Sequence, residues 1–216
     1  NVVEYLKIIN SEVDLDSDFV TRELFALYVA RMLNIDEMKT SNVRYFSDVE
    51  YDSFSASAIN ALVERGIISV PENHLFRPGD YITQTEALKM LVCVLGYEQY
   101  AVVNGGYPGG YINTAAKLDI YVNCKNENIL TVAEAGEMIY NALRTRLFGA
   151  SLSDGKTYSE SEETFLQRYW DICEAEGTVE AVYGSSTIKS FTADDNTVFI
   201  NGEEYRTGEI NAGAYI

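Results

Sequence analysis

One pattern occurs three times in this chain, and it constrains the fold more than any other feature. Each copy has a polar loop, then a β-branched residue or Leu, then a Thr, then apolar residues at helical spacing. The three threonines are Thr21, Thr83 and Thr131. Short helical units of this kind cannot bury their apolar faces alone and must pack against one another. The repetition therefore predicts several similar units that share a core.

Each repeated Thr has the features of a helix start. Thr83 is followed three residues later by Glu86, which is the spacing of a capping box, so a helix is predicted to begin near Thr83. A shorter helical segment precedes each loop, at residues 2–10, 56–68 and 110–122. The predicted unit is helix, loop and capped helix, and the predicted fold class is mainly α.

Charge and hydropathy exclude two classes of partner. The chain has 216 residues and a net charge of −17, which disfavours binding to a phosphate backbone, so we predict no nucleic-acid partner. Its longest apolar run, "ALKMLVCVLGY", is shorter than the roughly 20 residues of a membrane span, so no membrane insertion is predicted. No basic and then apolar leader opens the sequence, so any export signal is expected to have been removed or to lie outside it.

The motifs of metal sites and of common enzymes are missing from the sequence. Its 3 Cys have no metal-ligand spacing and there is 1 His, so we predict no metal and no cofactor. "DLDSD" begins like a calcium loop, but Phe19 and Phe25 stand where that loop needs Gly and Glu. G-x-S-x-G and H-E-x-x-H do not occur. We therefore predict that the protein is not an enzyme, with a hydrolase that uses two of its many carboxylates as the remaining alternative.

The second copy carries the most complete set of motifs. It reads F-S-D-V at 46–49, G-I-I at 66–68, F-R-P at 76–78 and I-T-Q-T-E at 82–86. This order resembles the S-layer homology family, whose repeats run from F-x-D-V through G-I-I and F-R-P to I-T-R-A-E.

The other two copies keep parts of the same series. The first keeps "VTRE" at 20–23, and the third keeps "LTVAE" at 130–134 after a "YPGGYI" start similar to the third repeats of clostridial relatives. The resemblance covers about residues 1–148. It divides them into a first repeat at 1–40, whose opening is missing, a second at 41–100 and a third at 101–148.

The resemblance implies a fold and a function. The fold would be three helix-loop-helix repeats packed as a pseudo-threefold prism. The function would be noncovalent anchoring of an exported protein to the cell wall of a Gram-positive, clostridial-type bacterium, through an anionic secondary cell-wall polysaccharide. The implied location is secreted, at the cell wall or cell surface. The alternative is a helical scaffold with degenerate glycan sites that associates with itself in a surface layer.

The resemblance also implies site residues. The Arg of T-R-A-E is present as Arg22, whereas Gln84 and Val132 occupy the matching positions of the other repeats, so we expect one working groove between the first two repeats. Phe54 is the nearest aromatic replacement for a Trp common in the family. The candidate glycan-binding residues are Thr21, Arg22, Glu23, Asp48, Phe54, Arg77 and Gln84.

Two of these residues have a structural alternative. The guanidinium of Arg22, beside free backbone N–H groups at a helix start, would suit a carboxylate, pyruvate ketal or phosphate on a glycan. The alternative is a surface salt bridge from Arg22 to the acidic loop that holds Asp14, Asp16 and Asp18. Asp48 could orient a sugar hydroxyl, but an Asp in this context is also a common turn former and helix cap, which is the favoured interpretation.

Beyond residue 148 the composition changes. Residues 149–163 are polar and rich in Gly and Ser, which predicts a linker, and aromatic-rich strand material is expected from there to residue 175. From about residue 176 we predict a partial β domain, 176–216, as the start of a larger β module that the anchor displays. Asn201-Gly202 is a strong signal for a type I′ hairpin turn within it.

Overall fold

The computed structural model describes residues 2–9, 19–35, 43–125, 128–150 and 158–172, together with short strands between residues 182 and 206. The chain forms two units, one of residues 3–171 and the other of residues 1–2 and 172–216.

The larger unit consists mostly of helices, which confirms the predicted mainly α class. The described helices are Val2–Tyr5 (α1), Arg22–Met32 (α2), Ala56–Glu64 (α3), Gln84–Val94 (α4), Glu98–Val103 (α5), Gly109–Lys117 (α6), Val132–Arg144 (α7) and Phe165–Trp170 (α8). Their apolar faces form the core, in which Phe25, Ile59, Leu88 and Ile139 are fully buried. No helix in the described part of the chain has both the length and the apolar character to cross a membrane.

The repeated threonines cap helices, as the sequence predicted. The hydroxyl oxygens of Thr21, Thr83 and Thr131 each accept a hydrogen bond from the backbone N–H three residues later, at the starts of α2, α4 and α7. Glu86 and Glu134 complete capping boxes with Thr83 and Thr131, because their carboxylates accept the backbone N–H of those threonines. The three caps thus set where the long helices begin.

The segments in front of the three caps bond to one another in a closed ring. The backbone N–H of Val20 donates to the Leu130 carbonyl at 2.9 Å, that of Leu130 to the Ile82 carbonyl at 3.3 Å, and that of Ile82 to the Val20 carbonyl at 2.9 Å. All three side chains are buried. The three capped helices therefore start around one point in the core.

The segment after α7 differs from the prediction. Strands Arg146–Ala150 (β1) and Tyr158–Thr164 (β2) pair antiparallel, so residues 158–163 are strand where a linker was predicted. The next residues form helix α8 where strand material was predicted. A capping box of Thr164 and Gln167 starts this helix.

This extension adds to the core of the larger unit. Phe165 and Leu166 are buried, and the indole N–H of Trp170 donates to the Met32 carbonyl at 2.9 Å, at the end of α2. The backbone N–H of Phe148 donates to the Leu95 carbonyl at 2.9 Å. Helix α8 thus packs directly on the helices before it.

The smaller unit contains the predicted β structure. Strands Val182–Tyr183 (β3), Ser185–Ile188 (β4) and Phe191–Asp194 (β5) form an antiparallel sheet in chain order, and Thr197–Ile200 (β6) pairs with Glu203–Arg206 (β7). Ile200 stands opposite Glu203, as a two-residue hairpin requires. The predicted turn itself, Asn201-Gly202, lies outside the described residues.

Candidate functional site

A groove lies where the start of α2 meets the loop in front of α4. Its volume is about 390 Å³. The lining residues come from α2, from the segment before α3 and from that loop, and they are Arg22, Phe46, Ser69, Pro71, Asn73, Leu75, Phe76 and Arg77. We call this the Arg22 groove. It combines cationic, polar and apolar side chains, which is the mixture that a charged sugar needs.

Arg22 is the first residue of α2 and is held in place by the second copy of the pattern. Its Nε donates to the Phe76 carbonyl at 2.8 Å, and its guanidinium carbon lies 5.0 Å from the centre of the Phe76 ring. Its Nη1 bonds the Glu86 carboxylate. The Arg22 side chain is 18% exposed, so it is a partly buried cation with a fixed direction. The acidic loop predicted as its alternative partner lies outside the described residues.

The helix start beside Arg22 does not offer free backbone N–H groups, so that part of the sequence interpretation is wrong. The N–H of Arg22 donates to the Asp80 carbonyl at 2.8 Å and that of Glu23 to the Pro78 carbonyl at 3.2 Å. The N–H of Leu24 donates to the Thr21 hydroxyl. The loop before α4 satisfies donors that a lone helix would leave open. A ligand in the groove would meet the guanidinium and not the helix terminus.

Glu86 uses its two carboxylate oxygens for different purposes. Oε2 accepts the Thr83 backbone N–H at 3.0 Å and the Thr83 hydroxyl at 2.8 Å. Oε1 bonds Arg22 and lies 3.5 Å from Nη2 of Arg77. Burial acts to raise the pKa of Glu86, but the Thr83 hydrogen bond and the charge of Arg22 hold it below its usual value. Glu86 is therefore ionised at neutral pH and is the counter-ion of both arginines.

Asp48 fixes the loop that forms one wall of the groove. Its Oδ1 accepts the backbone N–H of Phe76 at 2.8 Å, and its Oδ2 accepts that of Arg77 at 2.6 Å. Burial acts against its charge, but these two bonds lower the pKa of Asp48 below its usual value. They also hold Arg77 in a left-handed conformation, with φ of 59°. The geometry favours the structural interpretation of Asp48.

Further cations border the groove. The Arg77 side chain is 56% exposed, and its Nη1 lies 3.4 Å from Oδ2 of Asp80. The ammonium of Lys89, on α4, donates to the hydroxyl of the lining residue Ser69 at 3.0 Å. Arg22, Arg77 and Lys89 thus bring three cations to one place on a chain whose net charge is −17, and Glu86 and Asp80 pair with the two arginines there.

The other predicted site residues lie elsewhere or act differently. Thr21 caps α2, and Oε2 of Glu23 accepts the Ser55 hydroxyl at 2.9 Å. Phe54 is 63% exposed and does not line the groove. Gln84 is 4% exposed and its side-chain amide donates to the Val122 carbonyl, so it is part of the core. The structure therefore brings Arg22 and Arg77 together at the groove, with Asp48 behind the loop.

Sequence reasoning missed several residues of the groove. Ser69, Asn73 and Leu75 belong to the loop between G-I-I and F-R-P, where no motif singles them out. Lys89 could have been found, because it is three residues after Glu86 and so lies on the same face of α4. For the loop residues, the usable signal is a polar loop, residues 69–75, in a copy that follows a helix start with an Arg.

Comparison with known proteins identifies part of this region. Residues 45–88 match the family described as the S-layer homology domain, which confirms the resemblance over these residues. The middle cell wall protein of Brevibacillus brevis is 28% identical over 170 residues, which cover 74% of this chain and 15% of that protein. The surface layer protein of Brevibacillus choshinensis is 28% identical over 159 residues, which cover 69% of this chain and 14% of that protein. The chain thus spans a small part of the length of the curated relatives it matches.

Proposed function

Because residues 45–88 match the S-layer homology domain, we propose that this chain anchors an exported protein noncovalently to a bacterial cell wall. The ligand in this proposal is an anionic secondary cell-wall polysaccharide, and its binding site is the Arg22 groove. The observation that carries the proposal is the meeting of Arg22, Arg77 and Lys89 at one groove of a strongly acidic chain.

The chemistry of the groove suits an acidic sugar. A guanidinium recognises a carboxylate or phosphate through two parallel N–H bonds, and it keeps its charge at any physiological pH. Pro71, Leu75 and Phe76 offer apolar surface to a sugar ring, while Ser69 and Asn73 offer hydrogen bonds to its hydroxyl groups. Anionic groups bind the cations, and the remaining contacts orient the sugar.

The finer architecture belongs to the same proposal. We place three helix-loop-helix repeats in a pseudo-threefold prism, and the closed ring of hydrogen bonds among Val20, Ile82 and Leu130 supports this arrangement. The names of the two relatives support a cell-surface location. An origin in a Gram-positive, clostridial-type bacterium is part of the proposal and rests on the "YPGGYI" motif.

A sedimentation assay with purified cell-wall sacculi tests the proposal. The chain should sediment with intact sacculi and stay in solution with sacculi whose polysaccharide has been removed by acid. Equal retention on both preparations would exclude the polysaccharide as the ligand. Competition by the released polysaccharide should restore the chain to solution.

A second function, a self-associating surface scaffold, has its own supporting observation. Gln84 and Val132, at the positions that match Arg22, are buried and cannot offer a cation to a sugar. A chain in which two of the three matching positions are buried would suit a structural role in a surface layer. Light scattering over a concentration series tests this, since the scaffold requires a mass that rises with concentration.

A further inference from the structure

Two capping glutamates of this chain use one carboxylate oxygen in the same way and the other oxygen in different ways. Glu86 and Glu134 each accept the backbone N–H and the hydroxyl of the capping Thr through Oε2. Oε1 of Glu134 accepts the backbone N–H of Lys125 at 2.9 Å. Oε1 of Glu86 instead takes part in ion pairs with Arg22 and Arg77, at the edge of the groove.

We propose that Glu86 is an internal competitor for the anion that binds in the Arg22 groove, and that it thereby sets the specificity of the groove. Its Oε1 occupies the guanidinium groups that a bound anion would use. For the identity of the natural anion this inference rests on the proposed function. It predicts that removing one negative charge beside the groove strengthens anion binding.

The argument follows from the donors that Arg22 has left. Its Nε is committed to the Phe76 carbonyl, so only the Nη groups can bind a ligand, and Glu86 already bonds one of them. The Arg22 and Glu86 side chains are 18% and 25% exposed, so the pair is less screened by water than a surface pair. A ligand must either share this guanidinium edge with Oε1 or displace it.

This arrangement would select among ligands. A sugar hydroxyl is a weaker acceptor than a carboxylate and cannot displace Oε1 from a guanidinium. A carboxylate or phosphate on the ligand matches Glu86 in strength and can replace it. The competitor therefore lowers the affinity for every ligand, and it does so most for neutral sugars, which cannot take its place on the guanidinium. Such a residue raises specificity by opposing the wrong ligand.

Glu86→Gln is the decisive variant, because it removes the charge and keeps the cap. The chain contains a precedent, since Oε1 of Gln167 accepts the Thr164 backbone N–H at 2.8 Å in the capping box of α8. Glu134→Gln is the matched control. It makes the same change in a capping box whose carboxylate accepts a backbone N–H instead of pairing with an arginine.

The first experiment titrates the whole chain and both variants with inorganic phosphate and follows the arginine side-chain N–H signals by NMR. We expect Glu86→Gln to bind phosphate about fivefold more tightly than the unchanged chain, the size of a modest ion pair. Glu134→Gln should bind like the unchanged chain. A second measurement needs no variant: phosphate should shift the carboxylate ¹³C signal of Glu86 and leave that of Glu134 unchanged.

Several results would overturn the inference. These are equal or weaker phosphate binding by Glu86→Gln, an equal gain in Glu134→Gln, or no measurable binding at tens of millimolar phosphate. A Glu86 signal that does not move in the unchanged chain would also overturn it, even if Glu86→Gln fails to fold. The proposed function fails separately, when these phosphate results hold but none of the proteins binds sacculi.

Discussion

The first and second capped helices begin alike and meet the following loop in different ways. After each capping Thr comes a residue that donates to a carbonyl of the next loop: Arg22 to Phe76, and Gln84 to Val122. The first contact leaves a groove in which the Arg22 side chain is 18% exposed, whereas the second is closed and the residue Gln84 is 4% exposed. We call them the open contact and the closed contact.

The difference shows how little must change to convert an open groove into core. Both contacts keep the capping box on the neighbouring helix and the bond to a loop carbonyl. In the closed contact, Oε1 of Glu134 accepts a backbone N–H of the loop, while in the open contact the same oxygen of Glu86 pairs with arginines. The side chain after the Thr, together with the partner of the glutamate, separates the two outcomes.

The largest effect is expected from breaking the open contact. Arg22→Ala should weaken binding to sacculi by about 1.5 to 3 kcal/mol, because one charge-assisted contact is lost. Arg22→Lys should recover part of this loss, since an ammonium lacks the planar fork of the guanidinium. Sedimentation with sacculi over a concentration range measures both. An unchanged affinity in Arg22→Ala would remove Arg22 from the site.

Breaking the closed contact should affect folding instead. Gln84→Ala removes the donor to the buried Val122 carbonyl, which should lower the free energy of unfolding by roughly 2 kcal/mol. Urea denaturation followed by circular dichroism measures this. Sacculus binding by the folded variant should stay at the level of the unchanged chain. A loss of binding without a loss of stability would show that the closed contact is also a site.

A capping Thr precedes the Arg22 contact and the Gln84 contact alike, and removing one such cap should have a smaller effect. Thr21→Ala should lower the free energy of unfolding by about 1 kcal/mol, because the Leu24 backbone N–H loses its acceptor. Thr21→Ser is the matched control, since Ser caps helices equally well and should restore the stability. If Thr21→Ala and Thr21→Ser unfold at the same urea concentration, the cap contributes nothing measurable.

The smallest expected effects are a loss of stability in acid and a difference between the two contacts in how salt changes that loss. The pKa values of Glu86 and Glu134 are lowered, in both cases because hydrogen bonds and positive charge outweigh the opposing effect of burial. A group with a lowered pKa adds stability that is present above its unfolded pKa and is lost as pH falls through the folded pKa. Stability should therefore decline below about pH 4.5, the usual value of Glu.

The contributions of Glu86 and Glu134 to stability should differ in their dependence on salt. Salt should weaken the contribution of Glu86 more than that of Glu134, because the partners of Glu86 include two arginine charges. Thermal unfolding of Glu86→Gln and Glu134→Gln between pH 3 and pH 7, at low and high salt, measures the difference. Identical salt responses in the two variants would mean that the arginines add nothing to the cap.

Local patterns predicted the parts of the fold that local interactions determine. Thr83 and Glu86 are three residues apart, and their reciprocal bonds need nothing from the rest of the chain. The β hairpin around residue 200 has the same local origin. Helix α8 was not predicted because a short aromatic run suits a strand or a helix equally, and only the capping box of Thr164 and Gln167 decides for the helix.

The candidate site was predictable only in part. Arg22 was identified from a motif, but its partner Glu86 lies 64 residues away, and no local pattern connects them. The loop carbonyls that satisfy the start of α2 also come from a distant segment. Burial of Gln84 depends on Val122, which is 38 residues away. Contacts of this range are set by how the copies pack, which sequence spacing alone does not reveal.

The closed ring of Val20, Ile82 and Leu130 has a consequence for the order of events in folding. Each member bonds both others, so the loss of any one segment breaks two of the three bonds. A chain that emerges from a ribosome or a secretion channel with its N-terminus first cannot close the ring until Leu130 has emerged. Closing such long loops carries an entropic cost that slows folding. The segment at Val20 therefore cannot complete its ring hydrogen bonds until the segment at Leu130 is present.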